Sequence, residues 1–249
     1  MKALRWIVLA VFVCILSLGL AVACGGDDDD DDNDDDSGGT ITVSGNVFLF
    51  NQGQRIEGAT ITVLEFSDLE ATSGEEGYFE FEDMPSGSEA TFLFEHPDYP
   101  TTQTKTFTLG DEDLEQVTFQ VPDWDSYNIL AALLGITPDP DMCQMVTTVT
   151  RVGKSLYDEG AHGEEGAVAS VDPELPAEHG PIYFDSSVLP DTNLTETSDD
   201  GGVIWTNVPP GVYTLSAEKE GVEFVSPKMT CRAGVLVNAS PPYGLQALE

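Results

Sequence analysis

The chain has 249 residues, with 45 acidic side chains against nine basic ones and a formal net charge of −36 at pH 7. Repulsion at that level works against nucleic acid and anionic lipid headgroups as partners, and it favours solubility in a salty medium. Threonine, valine, phenylalanine and glycine are common and long helical periodicity is scarce, which excludes an all-helical fold and favours β structure.

The chain opens Met1-Lys2-Ala3-Leu4-Arg5 and then runs from Trp6 to Ala23 without a charge. A basic start followed by an apolar run has the form of a secretory signal. The run is also long enough for an uncleaved membrane helix. Leu20-Ala21-Val22-Ala23-Cys24-Gly25 decides between them. It resembles the bacterial lipobox, which implies a signal peptide over residues 1–23 and a lipidated cysteine, Cys24, as the first residue of the mature protein. Acyl chains contribute roughly 0.8 kcal/mol per buried CH₂, so several of them hold a protein on a membrane face. The resemblance therefore implies an exported chain, lipid-anchored in the cell envelope, with the outer membrane as the expected address, on its periplasmic or its surface side.

Residues 24–39 form an acidic tether. Nine aspartates and one asparagine fill Asp27 to Asp36, with glycines on either side. Like charges extend such a segment and glycine keeps it flexible, so it reads as a solvated spacer. It also resembles the surface-export signal of some Gram-negative lipoproteins. Weak divalent-cation binding would need converging ligands, and a flexible run offers no fixed cage. Without residues 1–23 the chain keeps seven basic and 45 acidic groups, a net charge of −38. About −29 of that lies beyond the tether.

Residues 40–122 alternate like strands. Ile41, Val43, Val47 and Leu49 share one face, and Gly58-Ala59-Thr60-Ile61-Thr62-Val63 starts a second strand. A short strand around Leu69 to Thr72 leads into Thr72-Ser73-Gly74-Glu75-Glu76-Gly77-Tyr78-Phe79-Glu80-Phe81, which ends in Met84-Pro85-Ser86-Gly87. Acidic residues before glycine make a tight turn, Phe79 and Phe81 alternate with Glu80 and Glu82, and Pro-x-Gly ends the strand. Strands around Phe92 and Phe94, Thr102 to Leu109 and Leu114 to Val121 bring the total to about seven, the pattern of an antiparallel sandwich.

The same turn–strand–turn unit recurs as Thr197-Ser198-Asp199-Asp200-Gly201-Gly202-Val203-Ile204-Trp205, ending in Val208-Pro209-Pro210-Gly211. Two copies of this length indicate two copies of one domain rather than a solenoid, which needs at least three short units. In residues 143–249, Gln144 to Val152 reads as a first strand and Ala167 to Val171 as a further one. Gly180-Pro181-Ile182-Tyr183-Phe184 aligns with Gly58 to Val63. Later strands are expected near Tyr213 to Ala217, Gly221 to Phe224 and Val235 to Asn238. Between the halves, residues 123–142 carry a short helix over Asp125 to Gly135. Asp125 can cap it, Gly135 can end it, and Tyr127, Ile129, Leu130, Leu133 and Leu134 form a broad apolar face.

Gly-x-Val near the start, Gly-Ala-x-Ile-x-Val, Thr-Ser before a glycine turn, Phe-x-Phe and Pro-x-Gly make residues 40–122 resemble the carboxypeptidase regulatory-like domain. That is a transthyretin-like β-sandwich, similar also to Cna-B modules of bacterial surface proteins. In the second half the resemblance rests on residues 180–218. It implies an all-β chain of two tandem seven-stranded-type Ig/transthyretin-like antiparallel β-sandwiches joined by a short helix. It does not imply peptidase activity, since the zinc site of those enzymes lies in a separate domain. Cna-B modules often carry a Lys–Asn isopeptide bond, and Lys154 and Asn238 lie near the first and last strands here. The assisting acid would fall at Ala217, so no such bond is expected.

Of four cysteines, Cys14 leaves with the leader and Cys24 takes the lipid. Cys143 and Cys231 remain, and in an exported protein they are expected to form a disulfide. A two-thiol metal site would need Cys-x-x-Cys spacing and a nearby histidine, and neither is present. His96, His162 and His179 fall in turns far apart in sequence. There is no Gly-x-Ser-x-Gly elbow, His-Glu-x-x-His helix, phosphate loop or dinucleotide fingerprint, and carboxylate pairs carry no signal among 45 acids. The expectation is therefore no enzyme, no catalytic residues, no cofactor and no metal. Asn193-Leu194-Thr195 and Asn238-Ala239-Ser240 match a glycosylation sequon by chance. The function expected is a structural, adhesive or accessory envelope scaffold, its partner an envelope protein or a glycan. The alternative is a carbohydrate-binding module, which would need Trp124, Tyr183, Trp205 and Tyr243 exposed together.

Overall fold

The computed structural model describes residues 38–248. Cys24, the leader and most of the acidic tether lie outside them. The described residues form one compact unit, all-β apart from one α-helix and two 3₁₀ turns.

In the first half, seven strands run β1 (Thr40–Leu49), β2 (Thr60–Val63), β3 (Phe66–Thr72), β4 (Tyr78–Pro85), β5 (Glu89–Glu95), β6 (Thr102–Thr108) and β7 (Leu114–Val121). Helix α1 (Trp124–Leu134) comes next. The second half comprises β8 (Cys143–Thr150), β9 (Val168–Asp172), β10 (Ile182–Phe184), β11 (Pro190–Asp191), β12 (Gly202–Val208), β13 (Gly211–Glu218), β14 (Lys228–Cys231), β15 (Leu236–Ala239) and β16 (Leu245–Gln246). The expected segment Gly221 to Phe224 forms only isolated bridges, from Lys219 to Val222 and from Phe224 to Ala247. Three short strands, β11, β14 and β16, carry too little alternation to be read in the sequence.

Both halves are sandwiches with one wiring. β1 pairs antiparallel with β4 and parallel with β7, and β8 does the same with β12 and β15. β5 pairs antiparallel with β2 and β6, as β13 does with β9 and β14. The parallel closures follow from this wiring, so the pairing is antiparallel in most but not all places.

The hydrogen bonds of the repeat fix the correspondence between the halves. Gly58 N donates to Ser73 O (2.7 Å), Ala59 N to Ser73 Oγ (2.9 Å), and Ser73 N to Ala59 O (2.9 Å). In the second half Gly166 N donates to Thr197 O (2.8 Å), Ala167 N to Thr197 Oγ1 (2.9 Å), and Thr197 N to Ala167 O (2.9 Å). Gly166-Ala167 is thus the counterpart of Gly58-Ala59, and Gly58 and Gly166 share φ near +80°. The alignment of Gly180 with Gly58 is corrected. Gly180 leads instead into β10, which pairs with β12. An Ile-Tyr-Phe triplet imitates the strand composition of Ile61 to Val63, whereas the hydroxyl that locks the turn is what the two copies share.

The two sandwiches are fused. β6 pairs in parallel with β15, Thr102 opposite Leu236, so one sheet runs β11-β10-β12-β8-β15-β6-β5-β2-β3. Side-chain parity can be traced across it. Phe94 sits opposite Thr102, Thr102 opposite Leu236, and Leu236 opposite Gln144. Directly opposed residues share a face. Phe92 and Phe94 point into the first core, against sheet β4-β1-β7, with Phe79, Phe81 and Phe119. Leu93, one residue out of phase, joins Met145, Trp205 and Val237 in the second core, against sheet β14-β13-β9. The two cores therefore lie on opposite faces of one central sheet, displaced along it.

A disulfide joins Cys143 of β8 to Cys231 of β14, with Cα atoms 5.7 Å apart, and so ties the two sheets of the second sandwich through its core. Helix α1 is capped by Asp123 rather than Asp125: the Asp123 carboxylate accepts from Ser126 N at 2.7 Å, and this bond holds its pKa below the usual value. Gly135 ends the helix in the left-handed conformation. Tyr127, Leu130, Ala131 and Leu134 face the protein, whereas Ile129 and Leu133 are more than half exposed.

The glycines that anchor the repeat, Gly77 and Gly201, have φ of +65° and +78°. A Cβ on Gly201 would meet Val149 O at 2.3 Å and the Gly163 Cα at 2.6 Å. Gly201→Ala is expected to lower stability by well over ~1 kcal/mol, read as a shift in urea midpoint without a change in slope. Replacing Cys143 and Cys231 together by alanine opens a loop of 88 residues. In the chain-entropy account this costs about 4 kcal/mol, and dithiothreitol should reproduce the shift in the parent but not in the variant.

Candidate functional site

The second sandwich presents two kinds of residue on its part of the central sheet. Along β8, Cys143, Met145, Thr147 and Val149 are fully buried, the cysteine, methionine and valine in the second core. Gln144, Val146 and Thr148 alternate with them and face outward, beside Ile204 of β12 and Leu236 and Asn238 of β15. This outward face continues the face on which the first core sits. Helix α1, next after β7 in the chain, covers it together with the segment between β8 and β9. Two adjoining chambers remain beneath this cover, and Phe50, Gln120, Val146 and Phe184 line both. The rings of Phe50 and Phe184 stand edge to face, 6.4 Å apart.

The first chamber, about 60 Å³, lies under α1. Its walls are almost wholly apolar, with Leu130 and Leu134 from the helix facing Ile204 and Leu236 of the sheet. Two of its amide side chains are hydrogen-bonded within the protein. Gln144 Nε2 donates to Asn207 Oδ1 and Gln144 Oε1 accepts from Asn207 N, both at 3.0 Å. Asn238 Nδ2 donates to Gln120 O at 3.0 Å.

The second chamber, about 300 Å³, has a mixed lining that includes Asp199, Asp200 and His162. Its rim is the Asp199-Asp200-Gly201-Gly202 turn of the repeat together with the segment carrying Ala161 and His162. Close backbone contact holds these two together. Gly163 N donates to Asp199 O at 3.0 Å, and a Cβ on Gly163 would meet Gly201 N at 2.3 Å. The covering segment is pinned to the first sandwich through Tyr157. Its hydroxyl donates to Asn46 Oδ1 at 2.6 Å, and its ring packs edge-on against Phe48, over which Arg55 lies at 3.5 Å. Burial there pushes the Tyr157 phenol up to about 12.

Asp200 is the electrostatically unusual group. Burial raises its carboxyl to about 6, and the carboxylates of Asp199 and Asp185 add to the rise. The hydrogen bond it accepts from Gly202 N at 3.0 Å opposes the rise but does not cancel it. Burial lowers the pKa of His162, and its Nδ1 is enclosed without a hydrogen-bond partner among the described residues.

The other sequence candidates are scattered. His96 packs on Tyr99, with ring centres 5.0 Å apart, and His179 Nδ1 lies 2.9 Å from Thr206 O. Lys154 pairs with Asp158 at 3.3 Å, while Asn238 is committed to Gln120, so the structure does not bring those two together. Among the described residues no three His, Cys, Asp or Glu side chains are placed to hold a metal ion. The four aromatics considered as a platform separate: Trp205 and Tyr183 are buried, Tyr243 packs edge-on against Phe107 at 5.2 Å, and only Trp124 is largely exposed. Burial of Trp205 is what its alternation predicts. The chambers themselves had no signature in the sequence. Asp199-Asp200-Gly reads as turn chemistry.

No family model matches the chain, and no curated protein matches it. Among solved structures it is similar to GBS52, the minor pilin of Streptococcus agalactiae, at 12% identity over 84% of this chain and 95% of that one, with a TM-score of 0.27. It is similar to the shaft pilin SpaA of Lactobacillus rhamnosus GG at 11% identity, over 84% and 97% of the two chains, with a TM-score of 0.26. The Bacillus anthracis TIE protein is matched at 11% identity over 80% of this chain, with a TM-score of 0.28, and the chain spans only 33% of it. Likenesses this low carry no argument about function, which rests on the geometry above.

A carboxyl whose folded pKa is raised holds a proton that the unfolded chain has released. Asp200 therefore makes stability fall as pH rises from about 4 to about 6, and the penalty is complete above that window. Asp200→Asn should be more stable than the parent at about pH 7.5 by about 1–3 kcal/mol, with the gap closing towards about pH 4. Paired denaturant titrations at the two pH values measure it.

Proposed function

We propose that the chain is an exported, non-enzymatic scaffold of the cell envelope. Lipidated Cys24 holds it at a membrane face, with outer-membrane placement as the preferred address, and the aspartate run keeps the folded unit clear of the lipid. Its role is structural or adhesive, or that of an accessory to another envelope protein. One observation carries the reading: the Cys143–Cys231 disulfide crosses the second core of a unit whose two sandwiches share one sheet. Such a bond persists in the oxidising conditions outside the cytosol. The shared sheet makes the two sandwiches a single rigid element, since bending at the junction would break ladder hydrogen bonds and expose both cores. A charge of about −29 beyond the tether fits an envelope surface and disfavours nucleic acid.

Growth of an expressing cell with an alkyne fatty acid tests the anchor. The parent chain should take up label and partition with membranes, whereas Cys24→Ala should be unlabelled. Label persisting in that variant would sink the lipid-anchored reading.

A further inference from the structure

The two chambers on the outward face of the central sheet differ in chemistry while sharing four wall residues, Phe50, Gln120, Val146 and Phe184. We propose that together they form a binding site for a small amphiphile, with a short alkyl or aryl tail under α1 and a cationic ammonium head against Asp199 and Asp200.

The chamber under α1 can select only a tail. Gln144 is bound through both ends of its amide to Asn207, and Asn238 Nδ2 to the Gln120 carbonyl, so the surface this chamber offers is almost wholly apolar. Leu130, Leu134, Ile204 and Leu236 favour an apolar occupant, which gains by leaving water. About 60 Å³ limits that occupant to a short tail.

The neighbouring chamber selects the head by charge. Its ionisable lining groups are Asp199, Asp200 and His162, and neither lysine nor arginine lines it. The nearby cations are held by other groups at the edge of the chamber: Lys154 pairs with Asp158, and Arg151 donates to the carbonyl of Ala161 on the rim. Burial keeps the His162 imidazole neutral near pH 7, and a neutral imidazole carries one lone pair able to accept from an ammonium N–H. Two carboxylates and an acceptor favour a cation and repel an anionic head. The Phe50–Phe184 pair lines both chambers and stands where head and tail would join. The site is independent of the lipid anchor, and its test fails separately from the Cys24 test.

The full chain reconstituted in nanodiscs is exposed to a hexylammonium probe carrying a diazirine at the tail end. Photolabel is expected on Leu130, Leu134, Ile204 or Leu236. Unlabelled hexylammonium should compete, hexanol should compete roughly ten-fold less well, and hexanoate should not compete. Asp199→Asn combined with Asp200→Asn should weaken hexylammonium competition by roughly ten-fold or more and leave hexanol competition unchanged. Should that double variant fail to fold, Leu134→Trp fills the tail chamber from the helix side and should abolish the label. Label spread over the surface, equal competition by the three head groups, or label undiminished in Leu134→Trp would overturn the proposal.

Discussion

The parallel pairing of β6 with β15 is the constraint on which the rest of the structure depends. Three residue pairs, Thr102 with Leu236, Gln103 with Val237 and Thr104 with Asn238, turn two four- or five-stranded sheets into one. Once they are joined, side-chain parity leaves no choice. The first core must lie on one face and the second on the other, because Phe94 and Leu93 alternate along a single strand. Side-chain bonds reinforce the seam. Gln103 Nε2 donates to Thr230 O at 2.8 Å, Thr118 Oγ1 to Pro241 O at 2.9 Å, and Lys228 meets Glu89 at 2.7 Å. The last is exposed and contributes little; the buried donors contribute more, because each would otherwise be stranded.

The double cleft arises from the same offset. A sandwich standing alone leaves the outer faces of its sheets to water. Here the outer face of the β8 sheet lies beside the first sandwich, and the chain leaving β7 has to cross it. Helix α1 and the segment ending at His162 do so, and the chambers are the space they leave unfilled. Asp200 owes its burial to this cover, as does the neutral state of His162.

The strands of the first half were legible because alternation and turn chemistry agree there: Phe79 and Phe81 between the Gly77 turn and Pro85-x-Gly87 leave one consistent register. Both hydroxyls of the repeat, Ser73 and Thr197, were visible, but not their role, since a buried hydroxyl that accepts from a backbone N–H has no periodic signature. The second half was harder to read because the strand signal and the turn signal part company. Ile182 to Phe184 has strand composition, while the turn equivalent to Gly58 lies at Gly166. Alternation fixed Trp205 as a core residue and the cysteine count gave the disulfide. The cleft was illegible because it is built between elements far apart in sequence, and a pairing three residues long leaves no pattern to find. The N-cap moved from Asp125 to Asp123 for a local reason: either aspartate can cap, and the docking of Tyr127 and Leu130 sets the start of the helix.

The seam also bears on the order of assembly. Its partners lie 134 residues apart, so in a chain that emerges N-terminus first, β6 waits as an open edge while most of the second sandwich has yet to arrive. An edge strand offers unpaired backbone groups to any passing strand. The sequence of β6, Thr-Gln-Thr-Lys-Thr-Phe-Thr, is polar at five of seven positions besides its lysine and carries little apolar surface for a stranger to bury. Its threonines suit a ladder, and Lys105 discourages a dry zipper. β15, made late in the chain, is thus received by an edge whose composition keeps it unoccupied until its own partner is made.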